Sequence, residues 1–212
     1  MKKSIVIKAN RLNLKNINKF KFDKVVIILS SVLICGLILG IFTSSRLLKS
    51  DNNVLCNLFD SFLFSCSKLS FINCFFTYFL ISLLFVFFAF ILGFCAVGTP
   101  ALCLLPFVLG LIFGSSICCY FTNYGLTGFI FCVLGNIPFY AITAATLLKC
   151  CCESMKMSVE LFCVVINGRA SKACYSLRDI AMYYCVMCLP LLIGSIIKTI
   201  GIKLFIGFFG II

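Results

Sequence analysis

The chain has 212 residues, 63% of them hydrophobic, with a formal net charge of +12 and no histidine. Runs such as 71–98 and 101–121 carry no charged side chain, and about 18 apolar residues suffice to cross the roughly 30 Å hydrocarbon core as a helix. That excludes an ordinary soluble domain, and the missing imidazole excludes Ser-His-Asp and Cys-His catalysis.

The expected fold class is all-α, a polytopic helical membrane protein of about five spans with its N-terminus inside. A barrel strand alternates apolar and polar residues, whereas these runs are apolar on every face. Helices also satisfy their own backbone, as lipid demands. The basic residues flank the apolar runs, where they set orientation and meet anionic lipid. Membrane lipid is therefore the expected partner of that charge, and nucleic acid is not.

Residues 1–24 read as a basic cytoplasmic arm, with Lys2, Lys3, Lys8, Arg11, Lys15, Lys19, Lys21 and Lys24 against Asp23. Residues 25–212 read as one helical membrane domain. Its first span, 25–42, exceeds a usual signal-peptide core, and no A-x-A-like site follows, so it reads as an uncleaved anchor. Within 43–70, Leu55, Leu58, Phe59, Phe62 and Leu63 recur at helical spacing. A short amphipathic helix lying on the membrane would suit them. The second span, 71–97, is followed by a tight turn at Gly98-Thr99-Pro100, because proline disfavours helix at the residue before it.

The third span is 101–121. A second short turn, Thr122-Asn123-Tyr124-Gly125, leads into the fourth span, 126–148. The loop 149–179 begins with Cys150-Cys151-Cys152 where the chain leaves the bilayer. Its portion 155–166 is amphipathic, and Asn167-Gly168 forms a helix stop. The fifth span is 180–197, with Pro190 as a kink. After Lys198, the nine residues 204–212 are too few to span and read as an interfacial tail. Basic residues number eight in the arm and five in the 149–179 loop, against five elsewhere. That bias places the N-terminus inside and the C-terminus outside.

Chemistry-bearing constellations are sparse. Asp51 and Asp60 share the outer loop and could in principle form an acid–base pair, but nothing else there resembles a cleft. Most of the sixteen cysteines, Cys119 among them, lie in apolar runs, where a thiol packs as a small hydrophobe. A disulfide framework is not expected. Cys185-x-x-Cys188 lacks the second pair that a four-ligand zinc site needs, and the triple cysteine is an acylation candidate only in a eukaryote. No ionisable residue lies within the first four spans. Polar groups there are Ser115, Ser116, Asn136, Tyr140, Thr143 and Thr146. Asn136-x-Pro138 interrupts the fourth span and could free carbonyls for a ligand, although such groups more often join helices. Gly36-x-x-x-Gly40 and Gly110-x-x-x-Gly114 allow close helix approach. No catalytic residue, cofactor or metal is expected.

Residues 92–148 read LGFCAVGTPALCLLPFVLGLIFGSSICCYFTNYGLTGFIFCVLGNIPFYAITAATLL. This stretch resembles the stage II sporulation protein M family: a Gly-x-Pro turn (Gly98, Pro100), a Gly-x-x-x-Gly span (Gly110, Gly114), a Tyr-Gly turn with a nearby glycine (Tyr124, Gly125, Gly128), and a proline in the next span (Pro138). One departure is that Phe139-Tyr140 follows Pro138, where the family often has Gln-Asn. The resemblance implies a non-enzymatic membrane scaffold for forespore engulfment. It would recruit and hold stage II sporulation proteins D and P, or similar peptidoglycan hydrolases, at the septal or engulfing cell membrane. Leu55, Phe59 and Phe62 are then candidate partner contacts. The rival reading is a permease-like subunit of a transport system. A broken span at Asn136-x-Pro138 opening on a polar cavity favours the permease; a closed, dry bundle favours the scaffold. The residues set no oligomeric state.

Overall fold

A computed structural model describes residues 2–47, 54–95, 98–167 and 177–209. Nearly all of these are helical, and no strand occurs among them. The elements are α1 (Lys2–Leu47), α2 (Val54–Lys68), α3 (Phe71–Gly93), α4 (Gly98–Phe131), a π-helical turn (Cys132–Asn136), α5 (Ile137–Asn167) and α6 (Leu177–Phe209).

Four segments are long and apolar enough to cross a membrane: Lys24–Arg46, Phe71–Gly93, Gly98–Val159 and Ile180–Phe205. The third has 62 residues and folds back on itself. Phe113 and Tyr140 are 27 positions apart, about 40 Å on a straight helix, yet their rings stack 4.5 Å apart. The reversal is at Gly125, the one described residue with positive φ (58°), in the second turn expected from the sequence. Its ψ of −132° lies in a region open essentially to glycine alone. Large side chains such as Ile27, Ile72, Leu80, Leu134 and Ile193 stay more than half exposed, which suits a hydrocarbon surround and not water.

The tightest crossing joins α1 to α4. A Cβ built on Gly36 would strike the Phe107 carbonyl oxygen, and one on Gly110 would strike that of Leu33. One on Gly40 would come within 2.5 Å of the Leu111 oxygen, and one on Gly114 would strike that of Leu37. Each glycine pair thus sits on the other helix's backbone. Ser115 Oγ also donates to the Gly40 carbonyl at 3.4 Å.

Helices α3, α4, α5 and α6, with Leu29 of α1, pack around a core that includes Val86, Ala89, Leu102, Leu147, Cys150, Cys151, Tyr184 and Leu191. Hydroxyls tie these helices together. Ser154 Oγ donates to the Ala89 carbonyl at 2.7 Å and meets the Tyr184 hydroxyl, which donates to the Cys150 carbonyl at 3.1 Å. Ser158 Oγ donates to the Cys95 carbonyl at 2.7 Å and lies 3.3 Å from Thr99 Oγ1.

Several expectations shift. The second span ends at Gly93, and α4 starts at Gly98, so Pro100 occupies the first turn of a helix, where its missing N–H costs nothing. The first half of the expected 149–179 loop is helix, because α5 runs unbroken to Asn167 and stops where Asn-Gly was expected to stop it. Cys150, Cys151 and Cys152 are at most 1% exposed, so they pack the core and are shut off from acylation. Cys119 is disulfide-bonded, not a free packing thiol. The interfacial tail is replaced by continuous helix: α6 runs to Phe209, and Lys198, Ile202 and Phe205 are buried on one face of it. Of the expected arm 1–24, residues 2–24 are the start of α1; the side chains of 1–23 lie outside the described residues, as do Asp51 and the side chain of Asp60.

Candidate functional site beneath a short helix

One end of the bundle is covered by α2. Its amphipathic pattern turns Phe59 and Phe62 down onto the bundle. Phe59 meets Tyr120 edge to face at 6.4 Å, and Phe62 meets Tyr78 at 5.9 Å. Lys203 of α6 donates from Nζ to the Leu69 carbonyl at 2.7 Å, satisfying an acceptor that the end of α2 leaves free. Cys66 is buried beside Cys74. A hydrogen bond from Cys74 lowers the pKa of its thiol, helped by one from Tyr78, against the opposing effect of burial. Leu58 is 65% exposed, and Phe64, with the Lys68 ammonium 4.1 Å from its ring, is 44% exposed, while Phe62 keeps 39% exposure beside its contact with Tyr78.

Directly under α2 lies a cavity of about 110 Å³, roofed by Phe59 and Phe62 and bordered by Ser116, Asn136, Thr143 and Lys198. Lys198 is 3% exposed. Its Nζ lies 5.0 Å from the Phe131 ring, 5.5 Å from Tyr78, and 6.0 Å from both Phe139 and Tyr140. Ring faces attract a cation, but they do not replace hydrogen-bond acceptors. None of the described lining residues is acidic.

Asn136 is fully buried. Its Nδ2 donates to Cys132 Sγ at 3.5 Å, and its Oδ1 has no partner. By contrast, the hydroxyls of Ser82, Ser116 and Thr143 donate to carbonyls of their own helices.

The local sequence builds this arrangement. Pro138 has no N–H and its ring crowds the carbonyl four residues back. The chain takes up the strain in the π turn, where Ile137 N–H reaches back to the Cys132 carbonyl. Such turns recur at functional sites, and this one sets Asn136 facing inward. Gly135 and Gly201 then let the π turn and α6 meet: a Cβ on Gly201 would lie 2.9 Å from the Gly135 Cα. Lys198, one turn before Gly201, is thereby drawn into the interior. The groups present can bind a polar ligand, and Tyr78, Tyr120, Tyr140 and Lys198 are the titratable side chains that line the space among the described residues.

The residues carrying the sequence resemblance do not converge here. Gly98 is pressed under the Leu92 carbonyl, Gly110 and Gly114 seat α1, and Gly128 is pressed against the Tyr120 carbonyl across the Gly125 hairpin. Tyr124 packs on Phe205 at 5.8 Å, and Pro100 is exposed. Only Pro138 touches the site, through the π turn. Of the candidate partner contacts, Phe59 and Phe62 face the bundle, while the side chain of Leu55 lies outside the described residues. Lys198 was missed because its charge read as the end of the fifth span. The signal was present: Leu191, Gly194, Ser195, Lys198, Thr199, Ile202 and Phe205 recur at helical spacing across the supposed boundary, and all are buried. No family model matches the chain, and no curated protein or solved structure matches it.

Proposed function

We propose that this multi-pass helical protein is a non-enzymatic scaffold in the cell membrane, with its N-terminus inside and α2 on the outer face. There it recruits and holds peptidoglycan-remodelling enzymes, as in forespore engulfment. The resemblance to the stage II sporulation protein M family supplies the role. The observation that carries it is α2 itself, fastened across the bundle by Phe59, Phe62 and the Lys203–Leu69 hydrogen bond, with Leu58 and Phe64 turned away. A helix held at a fixed height with apolar side chains outward suits a partner groove. The partner face moves accordingly from Phe59 and Phe62 to Leu58 and Phe64.

A permease-like role is the second reading. The π turn beside Pro138 and the cavity at Lys198 favour it. Size weighs against it: about 110 Å³ is well below the roughly 300–1,000 Å³ of ordinary ligand pockets. A photo-crosslinking residue at position 58 or 64 tests the scaffold, with position 80 on the lipid-facing side of α3 as control. Crosslinks to a peptidoglycan hydrolase from 58 or 64 and not from 80 support it. Crosslinks to lipid alone from all three positions overturn it.

A further inference from the structure

We propose that the cavity under α2 is a binding site for a small oxyanion, held by the ammonium of Lys198 and the amide of Asn136. Two buried side chains that line this space have unmet hydrogen-bonding capacity, Lys198 at Nζ and Asn136 at Oδ1. Lys198 carries three N–H donors, and no hydrogen bond or ion pair engages it among the described residues; ring faces lie around it at 5.0–6.0 Å. Asn136 presents Oδ1 with no donor. A buried ammonium without acceptors and a buried amide oxygen without a donor are both costly, and ionisable residues inside membrane segments are rare and mark ligand or ion sites.

The unmet groups define the ligand. It must be anionic to face Lys198, because no acidic side chain lines the cavity among the described residues. It must present oxygen, because Lys198 needs acceptors. Asn136 Oδ1 takes a hydrogen bond from a ligand O–H or from a water that enters with it. Size sets the upper limit. At about 110 Å³, the space is smaller than the roughly 150 Å³ engineered cavity that admits benzene. Formate, acetate and bicarbonate fit that limit, whereas larger carboxylates do not. The approach is under α2, whose Phe59 and Phe62 form the roof. This binding does not depend on Leu58 or Phe64 and stands apart from the partner face.

The test uses the full chain purified in detergent, with thermal unfolding followed by circular dichroism. Sodium formate, acetate and bicarbonate are titrated against sodium chloride at equal ionic strength. The expected result is a saturable rise in Tm with at least one oxyanion and none with chloride. At a hundredfold excess over Kd the rise should be on the order of 5 °C. Lys198→Met should raise Tm without ligand, by removing the unpaired charge, and abolish the oxyanion shift. Lys198→Gln keeps the length and polarity but not the charge and should also lose the shift, so either variant decides the matter if the other fails to fold. No oxyanion shift in the native protein, a shift that chloride matches, or a shift retained in a folded Lys198 variant would each overturn the proposal.

Discussion

Substituting Gly110 by alanine adds one methyl group at the α1–α4 crossing. That Cβ would strike the Leu33 carbonyl oxygen and sit 2.9 Å from Leu37 N and 3.2 Å from Gly36 C. All three are backbone atoms, so no rotamer change relieves the clash, and α1 must withdraw along the seam. A gap of about 0.5–1 Å already forfeits a quarter to a half of each dispersion contact. In lipid those contacts are a main force joining helices. Overpacking of this kind costs about 1–3 kcal/mol, or a fall in Tm of roughly 2–12 °C for a chain of this size. Gly110→Leu and Gly114→Leu should cost at least as much. The assay is thermal unfolding of the purified protein, with Gly194→Ala as internal control. A Cβ on Gly194 meets side-chain atoms of Ile142 and Phe139 at 3.5–3.6 Å, ordinary contact, and should leave Tm nearly unchanged. Equal Tm values for Gly110→Ala and Gly194→Ala would refute the backbone-to-backbone seam.

Reporter domains active only outside the cell should work after Ile212 and within 51–68 and stay silent within 156–178; activity in the last segment would reverse the orientation. Ser154→Ala removes the donor to the Ala89 carbonyl and should cost about 0.6 kcal/mol and no more than about 1.7, the range for interhelical bonds in membranes; an unchanged denaturation midpoint would mean that the bond contributes nothing. Phe59→Asp with Phe62→Asp puts two carboxylates in place of the rings that pack on Tyr120 and Tyr78 and should lower Tm, in contrast to substitutions at Leu58; an unchanged Tm in the double variant would show that α2 does not rest on these rings. Asp51→Asn with Asp60→Asn should leave function intact, since no acid–base role is assigned to them, and loss of function would reopen an enzymatic reading.

The helical class and the reversal at Gly125 were legible because apolar runs and glycine punctuation act locally, whereas the turn expected at Gly98-Thr99-Pro100 is the first turn of α4. The glycine pairs gave the spacing of a close crossing but not which helices meet, since Gly36 and Gly110 are far apart in sequence and only packing pairs them. The site was less legible. Asn136 and Pro138 stood out as an interruption, and the π turn is there. Lys198 did not stand out, because hydropathy treats a lysine as a boundary, whereas Gly135 and Gly201 provide the close approach that takes it inside. The amphipathic pattern of α2 gave a helix with an apolar face but not its direction. Phe59 and Phe62 found aromatic partners on α3 and α4, which left Leu58 and Phe64 outward.

The most direct test of the scaffold is recovery of peptidoglycan hydrolases with the tagged protein from the membranes of its native cells, comparing the natural chain with Leu58→Asp plus Phe64→Asp. Both positions are exposed, so the variant should insert at normal levels and keep its Tm. The account predicts that hydrolase recovery falls at least tenfold, the loss expected when about 1.4 kcal/mol or more of binding is removed. Undiminished recovery with a variant that is folded and present at normal levels would contradict it.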